Sequence, residues 1–163
     1  DPFKLFEKYP ADAVRYFLLR EIPSYGDGDY TEERFKEVYN ADLANGLGNL
    51  VARVAKLAER ANAQCSVLSA QFEKNKHLEE FRFDEALKTI WVWISDADQK
   101  IEEDKPWNLE GLELEGKLKD YVERIRKIAG NLQPFLPDTA EKILKQFSGP
   151  KIKSEAPLFP RIK

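Results

Sequence analysis

The 163-residue sequence predicts an all-α fold, a helical bundle, and three observations support this class. Apolar residues recur at intervals of three and four along most of the chain, whereas no run shows the strict alternation of a half-buried strand. Proline and glycine divide the chain into segments of helical length. The content of 42% hydrophobic and 34% charged residues is typical of a globular protein with one core.

The N-terminal part begins with an amphipathic pattern over residues 12–20. Ile22-Pro23 ends this helix before a glycine-rich loop at 24–30, since proline disfavours helix at the residue before it. Thr31 is the predicted N-cap of the next helix, because its hydroxyl can accept a hydrogen bond from a free amide of the first turn.

The third predicted helix follows a polar turn that begins at Tyr39, and two stripes run along it. Its core stripe has the spacing of a buried face: Leu43, Leu47, Leu50, Val54, Leu57 and Ala61. A second set, here called the polar stripe, lies about 120° around the helix and consists of Asn49, Arg53, Lys56 and Arg60. Gly46 and Gly48 each cost a helix about 1 kcal/mol relative to alanine, so we expect the close approach of a neighbouring helix to compensate.

The second half of the chain continues the helical pattern. Asp84 is the predicted N-cap of a strong fourth helix that ends before Pro106. The other predicted elements are a loop or short helix at 65–80, a glycine-flanked linker at 110–116, a fifth helix at 118–132, a short last helix at 139–147, and an extended proline-rich tail after it.

The residues that usually carry catalysis do not form a recognisable set in this chain. His77 is the only histidine and has no nearby cysteine, while the lone Cys65 excludes an internal disulfide and is more typical of a small buried hydrophobe. The loop at 24–30 lacks the lysine of a phosphate-binding P-loop. We therefore expect no catalytic residue, metal or cofactor within this chain.

Charge and composition limit the kinds of partner and the cellular compartment that are compatible with this sequence. The net charge of −3 argues against a nonspecific binder of DNA or RNA, which must neutralise many phosphates, although a local basic face remains compatible with it. No run approaches the ~20 apolar residues of a membrane span, and the single cysteine suits a reducing compartment, so we expect a cytoplasmic protein. The absence of methionine, even at position 1, indicates a fragment or a processed product.

Two features remain as candidates for function. Alone, the polar stripe is more typical of a solvated helix face. Trp107 directly follows Pro106 at a helix end, so its backbone direction is fixed and its ring can project as a platform, although core burial is the commoner role. Together, an aromatic face beside amide and guanidinium donors favours a site that stacks unpaired bases and recognises their edges.

Six segments, in the expected order, resemble the methionyl-tRNA synthetases, a class I family: DPFKLFEKYPADAVRYFLLREIP, YGDGDYTEERFKEVYN, YNADLANGLGNLVARV, TIWVWISDADQKIEEDKPWNLEG, PFLPDTAEKI and PLFPRI. The resemblance covers nearly the whole chain. It implies that residues 1–38 form a stem-contact segment after the KMSKS loop, that residues 39–148 form the anticodon-binding bundle, and that residues 149–163 form a tail.

The resemblance also implies roles for particular residues. It implies that Trp107, positioned by Pro106, stacks on the first base of a CAU anticodon, a cytosine, and that Asn49 and Arg53 contact the same base. Arg60, further along the polar stripe, is then a base or backbone contact. The implied partners are the anticodon stem-loop of tRNA(Met) and the catalytic domain of the same polypeptide.

The sequence departs from the family pattern at two points. Asp98 and Lys100 stand where many members have an Asn-x-Tyr pair before the Pro-Trp, so the resemblance implies no anticodon contact from them. The HIGH motif, the KMSKS loop and the zinc knuckle are absent, which assigns ATP, Mg²⁺ and adenylation to an N-terminal catalytic part outside this chain. Two alternatives stay open: an isoleucyl, valyl or leucyl relative, and a non-catalytic helical module that binds a protein.

Overall fold

A computed structural model describes residues 2–22, 28–65 and 76–163, and shows a helical bundle. The predicted loop at 24–30 and the weakly periodic segment at 65–80 lie partly outside these described residues. Within them, the only β pairing is an isolated antiparallel bridge between Gln64 and Lys151, so the predicted all-α class is confirmed. The helices are α1 (Pro2–Lys8), α2 (Ala11–Glu21), α3 (Glu32–Val38), a π-helix (Tyr39–Gly48), α4 (Asn49–Arg60), α5 (Lys76–Glu79), α6 (Phe83–Asp104), a 3₁₀ turn (Pro106–Asn108), α7 (Gly111–Leu132) and α8 (Pro137–Gln146).

The predicted helix starts have mixed outcomes. Thr31 caps α3 as predicted, with its Oγ1 accepting from the backbone N–H of Arg34 at 3.2 Å. The prediction for Asp84 is wrong, because the N-cap is Arg82, two residues earlier, and α6 begins at Phe83. Asp84 lies instead in the first turn, where a carboxylate also interacts favourably with the positive end of the helix.

The prediction of a linker at 110–116 is wrong, because these residues form the N-cap and the first turns of α7. The helix begins at Gly111, and Leu114 already packs against the core four residues before the buried Leu118. Nothing lies within 4 Å of the place where a side chain at Gly116 would start, so this glycine is a solvent-facing position that the helix tolerates. The predicted last helix at 139–147 differs from α8 by two residues at its start and one at its end.

The predicted polar turn at Tyr39 is a π-helix that joins α3 to α4 without a break. At its end, the backbone N–H of Asn49 donates to the carbonyl of Ala44, five residues earlier, as in a helix wound more loosely than the α form. A Cβ placed on Gly48 would lie 2.9 Å from the carbonyl oxygen of Leu43. The need for glycine here therefore comes from the helix itself, and the expectation that a neighbouring helix explains Gly48 is wrong.

The tail after α8 is extended and packs back onto the π-helix. Phe159 is 4% exposed and meets Tyr39 edge to face, with ring centroids 5.8 Å apart. The side-chain amide of Asn40 pairs with the backbone of Ile162 through two hydrogen bonds of 2.8 and 3.1 Å. Arg161 donates to the side-chain oxygen of Asn45. The tail is therefore a fixed part of the surface beside the start of α4.

The N-terminal helices are bound to the rest of the bundle by polar contacts as well as by apolar ones. The buried carboxylate of Asp12 accepts from the backbone N–H of Thr139 at 2.7 Å, in the first turn of α8. Arg15 donates to the carbonyl of Phe135 at 2.9 Å, and the hydroxyl of Tyr16 donates to Asp42 at 2.8 Å. None of the described helices is long and apolar enough to cross a membrane. The division into residues 1–38, 39–148 and 149–163 stays a prediction.

Candidate nucleic-acid interface

A sharp corner after α6 exposes the tryptophan that the sequence singles out. Lys105 takes a left-handed backbone conformation (φ 46°), and the buried Pro106 then begins the 3₁₀ turn that carries Trp107. The left-handed residue turns the chain away from the helix axis, and proline fixes the next backbone angle. Trp107 is consequently 44% exposed, so much of its ring lies outside the core.

Arg53 contacts Trp107, and the guanidinium group of Arg53 is paired with two carboxylates. Its guanidinium carbon lies 5.7 Å from the centre of the indole ring, within the range of a cation–π contact. One terminal nitrogen donates to Asp98 at 2.9 Å and the other to Glu102, both on one face of α6. Arg53 therefore holds the ring in place from a partly buried position, and its two terminal nitrogens are committed to carboxylates.

A groove of about 350 Å³ opens beside Trp107, between the end of α4 and the start of α7. Its apolar part includes Leu57 from α4, and its rim carries Arg60 from the polar stripe and two carboxylates, Glu110 and Glu115. The structure thus brings Arg60 and Trp107 to one concave surface. The sequence did not indicate the two glutamates as site residues, because residues 110–116 have the pattern of a glycine-flanked linker.

Asn49 lies elsewhere on the same helix. Its side chain is exposed and lines a second groove of about 380 Å³, together with Asn45 and with Phe159 and Arg161 of the tail. The structure therefore does not place Asn49 in the groove of Trp107. Asn45 precedes Asn49 by four residues, and this offset alone would have added it to the polar stripe.

A partly buried carboxylate, Asp104, binds the base of the Trp107 corner to α7. Asp104 accepts from Lys117 at 2.8 Å and from the Tyr121 hydroxyl at 2.9 Å, and it pairs with Lys100 at 3.1 Å. The hydrogen bond from Lys117, together with those from Tyr121 and Lys100, lowers the pKa of Asp104 to about 2 against an opposing effect of burial. Lys100, which departs from the family pattern, thus helps to bind the end of α6 to α7.

Comparison with known proteins identifies the class to which this fold and surface belong. Residues 1–55 match the family model described as tRNA synthetases class I (M). Methionine–tRNA ligases of Clostridium acetobutylicum and Bacillus subtilis are each 34% identical to the chain over 99% of its length, and the chain covers 31% of each relative. The chain therefore spans about a third of the length of these curated relatives.

Solved structures agree with the sequence relatives. The apo form of Mycobacterium tuberculosis methionyl-tRNA synthetase superposes on the whole chain with a TM-score of 0.85 and 27% identity, and the chain covers 41% of it. The complex of the same enzyme with methionyl-adenylate gives a TM-score of 0.79 over 99% of the chain, at 29% identity, and the chain covers 40% of it. The chain belongs to the class I aminoacyl-tRNA synthetases. Within that class, it is a member of the methionyl-tRNA synthetase family.

Proposed function

We propose that this chain is the tRNA-anticodon-recognition region of a methionine–tRNA ligase and that it binds the CAU anticodon of tRNA(Met). The observation that carries the proposal is the 44% exposed ring of Trp107, held at a rigid corner against Arg53. An exposed aromatic ring with a fixed orientation is the usual platform for an unstacked base, and such stacking contributes roughly 1 to 3 kcal/mol.

In the proposed complex, the first anticodon base, a cytosine, stacks on Trp107. Arg53 limits the rotation of the ring, because Asp98 and Glu102 hold its guanidinium beside it. Arg60 offers a charged donor in the adjacent groove, and Asn49 offers an amide further along the polar stripe. The energy of these contacts would be available only to a tRNA with the matching anticodon.

The proposed role of this region is selection, and the chemistry takes place in another part of the polypeptide. Binding of the anticodon would orient the tRNA so that its acceptor end reaches the catalytic domain, which binds ATP and Mg²⁺ and charges the tRNA with methionine. The small share of each relative that the chain covers fits this division of labour.

The proposal is tested by measuring the binding of a fluorescently labelled anticodon stem-loop to the purified chain. We expect a CAU stem-loop to bind and a change of its first base to G or U to remove most of the affinity. Trp107→Ala should weaken CAU binding by about tenfold to a hundredfold, whereas Trp107→Phe should retain part of it.

Trp93 provides the control for loss of a tryptophan. It packs on Lys127, 4.2 Å from the ring centre, and lines a different small cavity with Asp96 and Arg124, so Trp93→Phe should leave CAU binding unchanged. If Trp107→Ala still discriminates CAU from GAU as well as the unaltered chain does, the stacking role is wrong. A chain that binds no stem-loop under any condition would contradict the proposed function itself.

A further inference from the structure

Lys105, which links α6 to the turn of Trp107, has a backbone conformation that is unfavourable for lysine. Its φ of 46° and ψ of 58° lie in the left-handed region, where the Cβ of most residues comes too close to a carbonyl oxygen. Glycine is the usual residue at such a helix end, and asparagine is tolerated because its side chain bonds locally. Lysine has neither property, which indicates that its side chain has a role outside the helix.

The backbone of Lys105 is held on both sides, whereas its side chain is exposed. Its N–H donates to the carbonyl of Ile101 at 3.1 Å, and its carbonyl accepts from the N–H of Asn108 at 2.9 Å. Within the described parts of the chain, the ammonium group of Lys105 makes no ion pair or hydrogen bond. Lys100, by contrast, pairs with Asp104. Lys105 therefore carries a free positive charge on a fixed stretch of backbone.

The charges around the ring of Trp107 oppose the approach of RNA. Arg53 and its two carboxylate partners carry a net charge of −1. The groove beside the ring adds two glutamates against one arginine, again −1. Because every phosphate of an RNA strand is negative, a base can stack on Trp107 more favourably if a cation stands near the backbone of the strand. Lys105 is two residues from Trp107, so their Cα atoms are no more than about 7 Å apart.

The ammonium group of Lys105 suits a phosphate better than the edge of a base. It is a compact point charge on a flexible stem, so it can reach a phosphate without a fixed direction of approach. Recognition of a base edge requires donors and acceptors in fixed geometry, and contacts with phosphates position a strand without reading its sequence. We therefore expect Lys105 to contribute affinity and no choice of base.

We propose that Lys105 binds a phosphate that flanks the base stacked on Trp107, and that this contact is the reason for a lysine at a position that favours glycine. The contact holds the RNA strand beside the ring and adds affinity for any sequence. The inference rests on the proposed function, in which RNA is the partner of this surface.

The first test separates the stability of the fold from the binding of RNA. Lys105→Gly removes the charge and the unfavourable backbone conformation together, so its melting temperature should rise by about 1 to 3 °C. Its affinity for a labelled CAU stem-loop should fall about fivefold at about 0.1 M salt. A lysine that only stabilises the C-terminal end of α6 predicts a lower melting temperature and an unchanged affinity, and that result would overturn the proposal.

The dependence of binding on salt identifies the ligand as a phosphate. The slope of log affinity against log salt concentration should become shallower by about 0.7 in Lys105→Ala, the value for one phosphate of a single strand, and Lys105→Arg should keep the slope. Lys142→Ala removes an exposed lysine from α8 and is the matched control for net charge, so its slope should equal that of the unaltered chain. The ratio of CAU to GAU affinity should be the same in all these proteins.

The position of the contact on the RNA is found by replacing one phosphate at a time with a neutral methylphosphonate. One linkage next to the first anticodon base should cost the unaltered chain about fivefold in affinity. The same replacement should cost Lys105→Ala nothing further, because the two changes remove the same interaction. Losses that add at every linkage would overturn the contact.

The outcomes separate this inference from the proposed function. A salt slope that neither Lys105→Gly nor Lys105→Ala changes overturns the inference, and CAU binding that still depends on Trp107 then leaves the proposed function intact. If no CAU stem-loop binds, the proposed function fails and the Lys105 contact fails with it.

Discussion

Asp104 binds the end of α6, just before the Trp107 corner, to α7. It is the last residue of α6, its side chain is 8% exposed, and it accepts from Lys117 and Tyr121 of α7. These bonds favour the charged form, which is why the pKa of Asp104 falls to about 2 from an ordinary value of 3.8. A carboxylate with a lowered pKa stabilises the folded state only while it is ionised.

We expect Asp104→Asn to lower the free energy of unfolding at pH 7 by about 1 to 2 kcal/mol, because the amide replaces charged hydrogen bonds with weaker ones. The contribution of Asp104 is fully present above about pH 4 and is lost as the pH falls through about 2. Urea unfolding between pH 6 and pH 2.5 should therefore show a shallower loss of stability for Asp104→Asn than for the unaltered chain. Parallel curves in the two proteins would contradict this assignment.

The sequence grouped Arg53 with Trp107, which the structure brings into contact, but it did not predict the ion pairs of Arg53. Proline before Trp107 and the position at a helix end are local signals that are compatible with a projecting ring, although core burial is the commoner role, and the ring is in fact 44% exposed. The pairing of Arg53 was not predictable in this way, since Asp98 and Glu102 lie 45 and 49 residues further along the chain. The prediction that Arg53 donates to a base took no account of nearby carboxylates. These carboxylates come from α6, and only the packing of α6 against α4 brings them to Arg53.

At the scale of elements, the π-helix is the feature that periodicity could not reveal. Intervals of three and four between apolar residues are compatible with either winding, so the pattern indicated a helix after Tyr39 without indicating its kind. The two glycines were the only sign of an unusual backbone, and they occupy different environments. A Cβ at Gly48 meets a backbone oxygen at 2.9 Å, whereas one at Gly46 meets Ala41 and Trp91 at ordinary distances of 3.6 and 3.8 Å.

Alanine substitutions at these two glycines should therefore have opposite effects. Gly48→Ala forces the π-helix to shift and should lower the free energy of unfolding by about 1 to 3 kcal/mol. Gly46→Ala should leave stability unchanged or raise it by up to about 1 kcal/mol, because alanine favours helix over glycine and the space is available. Chemical denaturation of the two variants side by side measures the difference, and equal effects would show that the winding does not require Gly48.

The tail is the second element whose position only the structure gives. Its sequence predicted an extended, proline-rich segment, and the backbone is extended, but nothing local indicated that Phe159 would be buried against Tyr39. The pairing of Asn40 with Ile162 joins residues 122 apart. Contacts of this range depend on the whole fold and leave no periodic signal.

We expect Phe159→Ala to lower the free energy of unfolding by about 3 kcal/mol, the usual cost of removing a buried phenylalanine ring. Leu158, which is only partly buried beside it, is the matched control, and Leu158→Ala should cost clearly less. Hydrogen exchange should also show faster exchange of the Ile162 amide, which donates to Asn40, in the Phe159 variant. An unchanged exchange rate there would indicate that the hydrogen bonds hold the tail without the ring.

On the scale of the whole molecule, α2 binds the N-terminal helices to α8, in addition to the unbroken connection of α3 with the π-helix. The sequence resemblance assigned α2 to a stem-contact segment and α8 to the anticodon-binding bundle. The structure joins them through Asp12, which caps α8 from outside that helix at 2.7 Å, and through Arg15, which donates to the loop before α8. Because these contacts are buried or partly buried, we expect the chain to unfold in one transition, with both groups of helices melting together.

Asp12 offers the direct test of this coupling. Asp12→Ala leaves a helix-start N–H of α8 without its acceptor in a buried position, which should cost about 2 kcal/mol. Asp12→Asn keeps an acceptor oxygen but loses the favourable interaction of a negative charge with the helix start, so it should cost less. Urea unfolding followed both by tryptophan fluorescence and by far-UV circular dichroism would measure these losses. If the two probes separate in Asp12→Ala but coincide in Asp12→Asn, this single hydrogen bond is what makes α2 and α8 unfold as one unit.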